Sequence, residues 1–291
     1  MKRISLSILY VAFPCLVGAS AQAADYDAQV AEQLRGLLTI QGGVMDYETS
    51  DGDDSNDGIL AGNASVVLPF GDFWSAQIDI LGENVLTDGD DNDQYESMAA
   101  VGGHLSWHMG DSGLIGILAG YGFGSPTDEE TWRGGIVGIE GQAYFNQFTL
   151  YGQAALLGIG EDDEDEGFDD SAFLLRAVAR YFVHEDFKLE GEVAYIRGDN
   201  VIDDDDNGKG WEWGAMAQMR LFDLPVYGSL AYRAGDWDAT TEGDDAKTQS
   251  IMVGLTFLFG SQSLMENDRA GAGLDTPTTP FRASGVFSEL D

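Results

Sequence analysis

Between residues 36 and 260, apolar residues alternate with small or polar ones at a spacing of two. That period puts successive side chains on opposite faces of an extended chain. Twelve such runs stand out, near 36–48, 59–70, 73–84, 97–109, 114–124, 134–145, 148–158, 171–183, 187–198, 209–222, 226–237 and 248–260. Each is about the length of a membrane-spanning strand. The connections alternate in kind. Five are tight: Gly71-Asp72, Gly110 to Gly113, Asn146-Gln147, His184 to Asp186 and Asp223 to Pro225. The other six are long and acidic: SDGDDSNDG (50–58), TDGDDNDQYE (87–96), SPTDEETWR (125–133), EDDEDEGFDD (161–170), DNVIDDDDNG (199–208) and DATTEGDDAK (238–247). Turn centres recur every 35 to 39 residues, roughly, which is a hairpin repeat. Pro69 and Pro225 flank tight turns, Pro126 lies in a long connection, and none interrupts a strand interior.

A secreted β-sandwich also alternates apolar and polar positions. Three features point instead to a membrane barrel. Loop length and charge alternate strictly by side. Aromatics gather at both ends of the apolar face, with Phe70, Trp74, Trp107, Phe145, Phe148, Tyr181, Phe187 and Phe259 near the tight turns, and Tyr121, Phe123, Tyr195, Trp211 and Trp213 near the long loops. The opposite face carries Gly, Ser, Gln and charges in mid-strand, which a dry core would not accept. The expected fold is all-β: a transmembrane up-and-down antiparallel β-barrel of about twelve strands, with short periplasmic turns and long acidic extracellular loops.

The stretch from Gln249 to Gly260, QSIMVGLTFLFG, puts Ile251, Val253, Leu255, Phe257 and Phe259 on one face. It resembles the insertion signal on the last strand of Gram-negative outer-membrane β-barrels, through Gly254, Phe257 and Phe259. Met252 departs from that signal, since the family usually has a polar residue there. The signal also normally ends the chain, whereas 31 residues follow Gly260 here. The resemblance to porin-like barrels implies the outer membrane of a Gram-negative bacterium as location, surrounding outer-membrane lipid, and insertion by the barrel assembly machinery. It also implies a passive channel for small hydrophilic solutes or ions. Monomeric twelve-strand channels for nucleosides or acidic sugars are the nearest architectural comparison, and no substrate motif ties the chain to either.

Residues 1–23 read as a cleaved signal peptide: Lys2 and Arg3, an apolar run from Ile4 to Val17, then Ala21-Gln22-Ala23. Residues 24–35 form a short periplasmic segment ahead of the barrel at 36–260. Cys15, the sole cysteine, falls in the leader, so the exported chain has no disulfide or thiol ligand. Of 14 basic residues two lie in the leader, leaving 12 against 51 acidic ones, a net charge of about −39. That sign argues against a nucleic-acid partner.

With the apolar register facing lipid, parity assigns the lumen. Its charged or titratable members are Asp79, Glu83, His104, His108, Glu140, Arg176, Arg180, Lys188, Glu190, Glu192, Glu212, Arg220 and Arg233, with Asn63, Ser65, Gln77, Gln142, Gln153 and Gln218 beside them. The basic residues all lie on strands eight to eleven, and Asp79 and Glu83 lie on strand three. One reading is a transverse field across a water-filled pore. The other is a salt-bridge network that fills the lumen, and a twelve-strand ring sits between filled and open sizes. Gly116, Gly120, Gly122 and Gly124 on one strand suggest free space.

No cofactor is expected. The acidic loops would at most hold divalent cations loosely: Asp203, Asp205 and Asn207 match the start of an EF-hand loop, but Gly214 stands where its closing Glu is needed. His104 and Ser106 share the spacing of outer-membrane phospholipases, yet parity turns both into the lumen, and no enzyme constellation survives. A structural or surface-interaction barrel with cation-binding loops and a blocked lumen is the alternative to the channel. Residues 261–291, with Pro277 and Pro280, read as a flexible periplasmic tail. The sharper alternative is a plug anchored by Phe281 and Phe287.

Overall fold

The structure, a computed structural model, describes residues 34–50, 54–86, 97–125, 132–161, 170–199, 208–239 and 245–287. The strands are β1 (Arg35–Thr49), β2 (Asp54–Phe70), β3 (Trp74–Leu86), β4 (Ser97–His108), β5 (Gly113–Ser125), β6 (Trp132–Phe145), β7 (Phe148–Glu161), β8 (Asp170–His184), β9 (Phe187–Asp199), β10 (Gly208–Arg220), β11 (Val226–Ala239) and β12 (Asp245–Phe259). Two helices follow, α1 (Leu264–Ala270) and α2 (Thr279–Phe287). Each strand pairs antiparallel with the next, and β12 pairs with β1 from Gly36↔Phe259 to Thr49↔Ala246, closing the ring. Closure leaves no unpaired edge, which a bilayer demands of any sheet that crosses it.

All twelve predicted strands are present, and the largest differences lie at the long-loop end. β2 begins at Asp54 rather than near 59, and β12 at Asp245 rather than near 248. Ladder hydrogen bonds come from the backbone, so pairing continues into acidic sequence beyond the apolar pattern, as in Tyr47↔Ser55 and Asp46↔Asn56. At the tight-turn end β10 stops two residues before the expected 222. Phe222 adopts φ 59° and the Leu221 amide donates to the Val226 carbonyl at 2.7 Å, so β10 ends at Arg220. Asn146 (φ 51°) makes the turn between β6 and β7.

The outer surface is an apolar band in which Val253 is 62% and Ile139 65% exposed. So large an exposed apolar surface belongs in lipid rather than water. Phe70 and Trp74 stack at 6.5 Å at one rim, and Tyr195 and Trp211 lie 4.7 Å apart at the other.

The inward face has two chemistries. In the half near the tight turns it is polar. In the half near the long loops Met45, Ile59, Leu118, Leu174, Ile196 and Trp237 form a packed apolar layer. The predicted lumen residues Glu83, Glu212 and Arg233 lie in this second half, among apolar side chains that the polar pattern does not name. At the seam, Gly43 on β1 lies so close to β12 that a Cβ there would overlap the Ile251 carbonyl. Gly43→Val is therefore expected to destabilise closure by about 1–3 kcal/mol, read as a lower denaturation midpoint by heat-modifiable gel mobility. An unchanged midpoint would show that the seam has slack.

Candidate functional site

The chain leaves β12 through Gly260 (φ 75°) and turns into the barrel. The expected flexible periplasmic tail is corrected here: its described residues, 261–287, fold inside the lumen and add no strand to the sheet. Local sequence sets this up. Ser263 caps α1 by accepting from the Glu266 amide at 3.1 Å, while the Glu266 carboxylate accepts from the Gln262 amide at 2.6 Å. Glu266 also pairs with Arg35 at 2.6 Å, and Leu264 packs with Phe182, Tyr227 and Leu258 at the tight-turn mouth. The chain then runs upward through Leu274 to Thr276. In α2 the Arg282 amide donates to the Thr278 carbonyl at 3.0 Å.

Predicted lumen residues meet this segment at three levels. Nearest α1, Arg180 Nη1 donates to Asp268 at 2.7 Å, and Thr149 donates to the same carboxylate at 2.7 Å. Arg180 Nη2 reaches Asp275 at 2.9 Å, and Arg176 Nη1 and Nη2 reach it at 3.2 Å each. Arg176 also clasps Glu192 through two bonds of 2.9 Å, Lys188 donates to Glu190 at 2.7 Å, and the Tyr151 ring lies within 5.6 Å of both guanidinium groups. At mid-height His104 stands between Glu140 (Nδ1, 2.8 Å) and Asp79 (Nε2, 2.9 Å). Two flanking carboxylates ask both ring nitrogens to donate, which only the imidazolium does. Thr276 donates to Asp79 through its amide (3.0 Å) and its hydroxyl (2.9 Å). Above, in the apolar layer, Arg233 clasps Glu83 at 2.8 and 2.9 Å, and Arg282 of the tail clasps Glu212 at 2.8 and 2.5 Å.

The sequence reading put these side chains in one lumen, and the structure brings them together. Three expectations change. Strand-three carboxylates and the basic strands do not face each other across water, because Arg233 touches Glu83 directly and the tail bridges the rest. Arg220 is half-buried at the tight-turn rim, bonded to Asp186 at 2.7 Å, and His108 is bonded to Ser75 at 2.8 Å. The glycine face is not free space: a Cβ at Gly122 would stand 2.7 Å from the Phe281 ring, and one at Gly102 would overlap Thr276. The void left beside Arg180, Lys188 and Asp275 has about 30 Å³, room for about one water. Phe281 is buried in the apolar layer. Sequence reasoning missed Asp268, Asp275, Thr276 and Arg282. Ser263-Leu264-Met265-Glu266, a capping-box pattern, was the available signal that the tail folds.

The candidate cation ligands Asp203, Asp205 and Asn207 lie outside the described residues, as does the leader at 1–23. Among the described residues, His184, Glu185 and Asp186 bring donor atoms within 4.8 Å of one another in an exposed turn, where Asp186 already accepts from Arg220 and Tyr227.

No protein-family model matches the chain, and no curated protein sequence matches it. Solved structures match its fold. An outer-membrane channel from Pseudomonas putida F1 is similar with a TM-score of 0.52 at 11% identity, over 82% of this chain and 100% of that one. The translocator domain of the autotransporter NalP from Neisseria meningitidis gives 0.45 at 13% identity, over 77% and 88%. The NanC porin gives 0.47 at 12%, over 74% and 98%. The fold is that of the Gram-negative outer-membrane β-barrels. Within that class it is a twelve-stranded barrel whose lumen holds its own C-terminal segment.

Proposed function

We propose that this protein is an outer-membrane channel for small hydrophilic solutes or ions, shut in the described state by residues 261–287. The observation that carries the reading is the kind of filling. A barrel meant only as a wall can fill its interior with strand side chains. Here the polar half is filled by a segment joined through Gly260, laid on a glycine face and held by side-chain hydrogen bonds and ion pairs rather than strand pairing. Such contacts exchange for water and solute more readily than ladder bonds.

The barrel's apolar belt and aromatic rims suit outer-membrane lipid, and its last strand suits the barrel assembly machinery. Phe257 and Phe259 face outward, 43% and 42% exposed, and Gly254 is seated inward where a Cβ would crowd Gln41 and Ser229. The channel needs no reaction and no cofactor. His104 is engaged by two carboxylates and stands as a buttress for the tail, beside a buried Ser106.

Planar-bilayer recording of the full chain tests the proposal. The native protein is expected to be mostly closed. Gly102→Leu, whose side chain takes the place of Thr276, is expected to give sustained openings. A Gly102→Leu barrel shown to be folded by gel mobility, yet silent, would overturn the channel and favour a structural barrel with a blocked lumen.

A further inference from the structure

The cluster of Arg176, Arg180 and Tyr151 is built for a carboxylate, and the carboxylate it holds is the tail's own. Asp275 accepts from both guanidinium groups, at 2.9 Å from Arg180 and 3.2 Å from Arg176. Asp268 takes the other Nη of Arg180 at 2.7 Å. Two tail carboxylates thus share one guanidinium, one on each terminal nitrogen, with the wall's Glu190 2.9 Å from its Nε. The planar, forked donor set of arginine matches this geometry, and a lysine would not. Tyr151 holds the pair from beneath, 5.6 Å from Arg176 and 5.2 Å from Arg180.

The charge count around the cluster changes sign with the tail. The barrel wall supplies three cations, Arg176, Arg180 and Lys188, against two carboxylates, Glu190 and Glu192. Glu140, next along the wall, is engaged by His104 and Tyr151. With Asp268 and Asp275 in place the cluster carries excess negative charge, and without them excess positive charge. A displaced tail therefore leaves a lumen-facing site of net positive charge, which favours an anion in its place.

We infer that this site binds a small dicarboxylate solute, and that Asp268 and Asp275 occupy it as an intramolecular stand-in. The inference rests on the channel reading only for its consequence, that solute and plug compete, so the solute favours the open form. Binding itself is independent of conduction. A ligand that occupies the site only when the tail has left shifts the closed–open balance by mass action, and by no more than its preference for the open form.

The test is isothermal titration calorimetry of succinate into the folded, full-length Gly102→Leu protein in detergent, with acetate and chloride at matched ionic strength. Succinate is expected to bind, acetate more weakly and chloride without measurable heat. Arg180→Gln in the same background is expected to weaken succinate by about tenfold or more. The full-length Asp268→Asn/Asp275→Asn protein, which keeps the wall and loses the stand-in, should bind succinate more tightly than the native chain does. Equal affinity for succinate and chloride, or no effect of Arg180→Gln, would overturn the site whether or not the barrel conducts. Binding without conductance would keep the site and sink the channel. Conductance in Gly102→Leu without succinate binding would keep the channel and sink the site.

Discussion

Glu83→Ala is expected to cost the barrel about 3–5 kcal/mol, among the largest losses available to a single substitution in this chain. Glu83 is fully buried in the apolar half of the lumen and accepts two bonds from Arg233, at 2.8 and 2.9 Å, with Arg282 Nη1 3.6 Å away. Deleting the carboxylate removes the two-bond partner of the Arg233 guanidinium, beside a layer that includes Leu81, Val85 and Trp237. The double variant Glu83→Ala/Arg233→Met should recover much of the loss, because a buried pair replaced whole by apolar groups is often near neutral. Denaturant titration of native, single and double variants in detergent, followed by gel mobility, reads both numbers. A single-variant cost below about 1 kcal/mol would mean that water reaches this layer.

Arg180→Ala is expected to free the tail. This guanidinium holds the wall to two tail carboxylates, and its Nε lies 2.9 Å from Glu190. Without it Asp268, Asp275 and Glu190 lose the cation they share, and the loss is about 3–5 kcal/mol, most of it in the tail's docking. Limited trypsin digestion shows where that energy goes. Arg269 and Arg282 are buried in the native protein and should resist cleavage. In Arg180→Ala, cutting after Arg269 should remove the rest of the tail while the barrel stays intact by mass and gel mobility. If barrel and tail were digested together, Arg180 would be holding the wall itself rather than the plug.

The strands were legible because lipid on one side and a lumen on the other impose a period of two, and nothing competes with that signal in 36–260. Parity places Asp79, His104, Arg176 and Glu212 in one interior. It left the apolar inward residues unnamed: Leu174 shares the inward parity of Arg176, but only polar side chains mark a lumen by their chemistry. The tail failed for a different reason. α1 and α2 are seven and nine residues long, too short for an apolar stripe to repeat, and their surroundings are a barrel interior with two chemistries. Asp268 and Asp275 look like solvated charges until they are set against Arg176 and Arg180. Gly120 and Gly122 leave space on the inner face of β5, and Thr276 and Phe281 occupy it.

Gly260 joins the strand that completes the ring to the segment that occupies it. The wall ends where β12 pairs with β1, so the residue that follows the closing strand also begins the filling. Within the wall alone, Arg180 has Glu190 at 2.9 Å and Asp79 has His104 at 2.9 Å, and the tail adds to these pairs rather than creating them. A displaced segment would therefore unpair no strand: the ring would keep its ladder whole, with Gly260 as the tether of what had left.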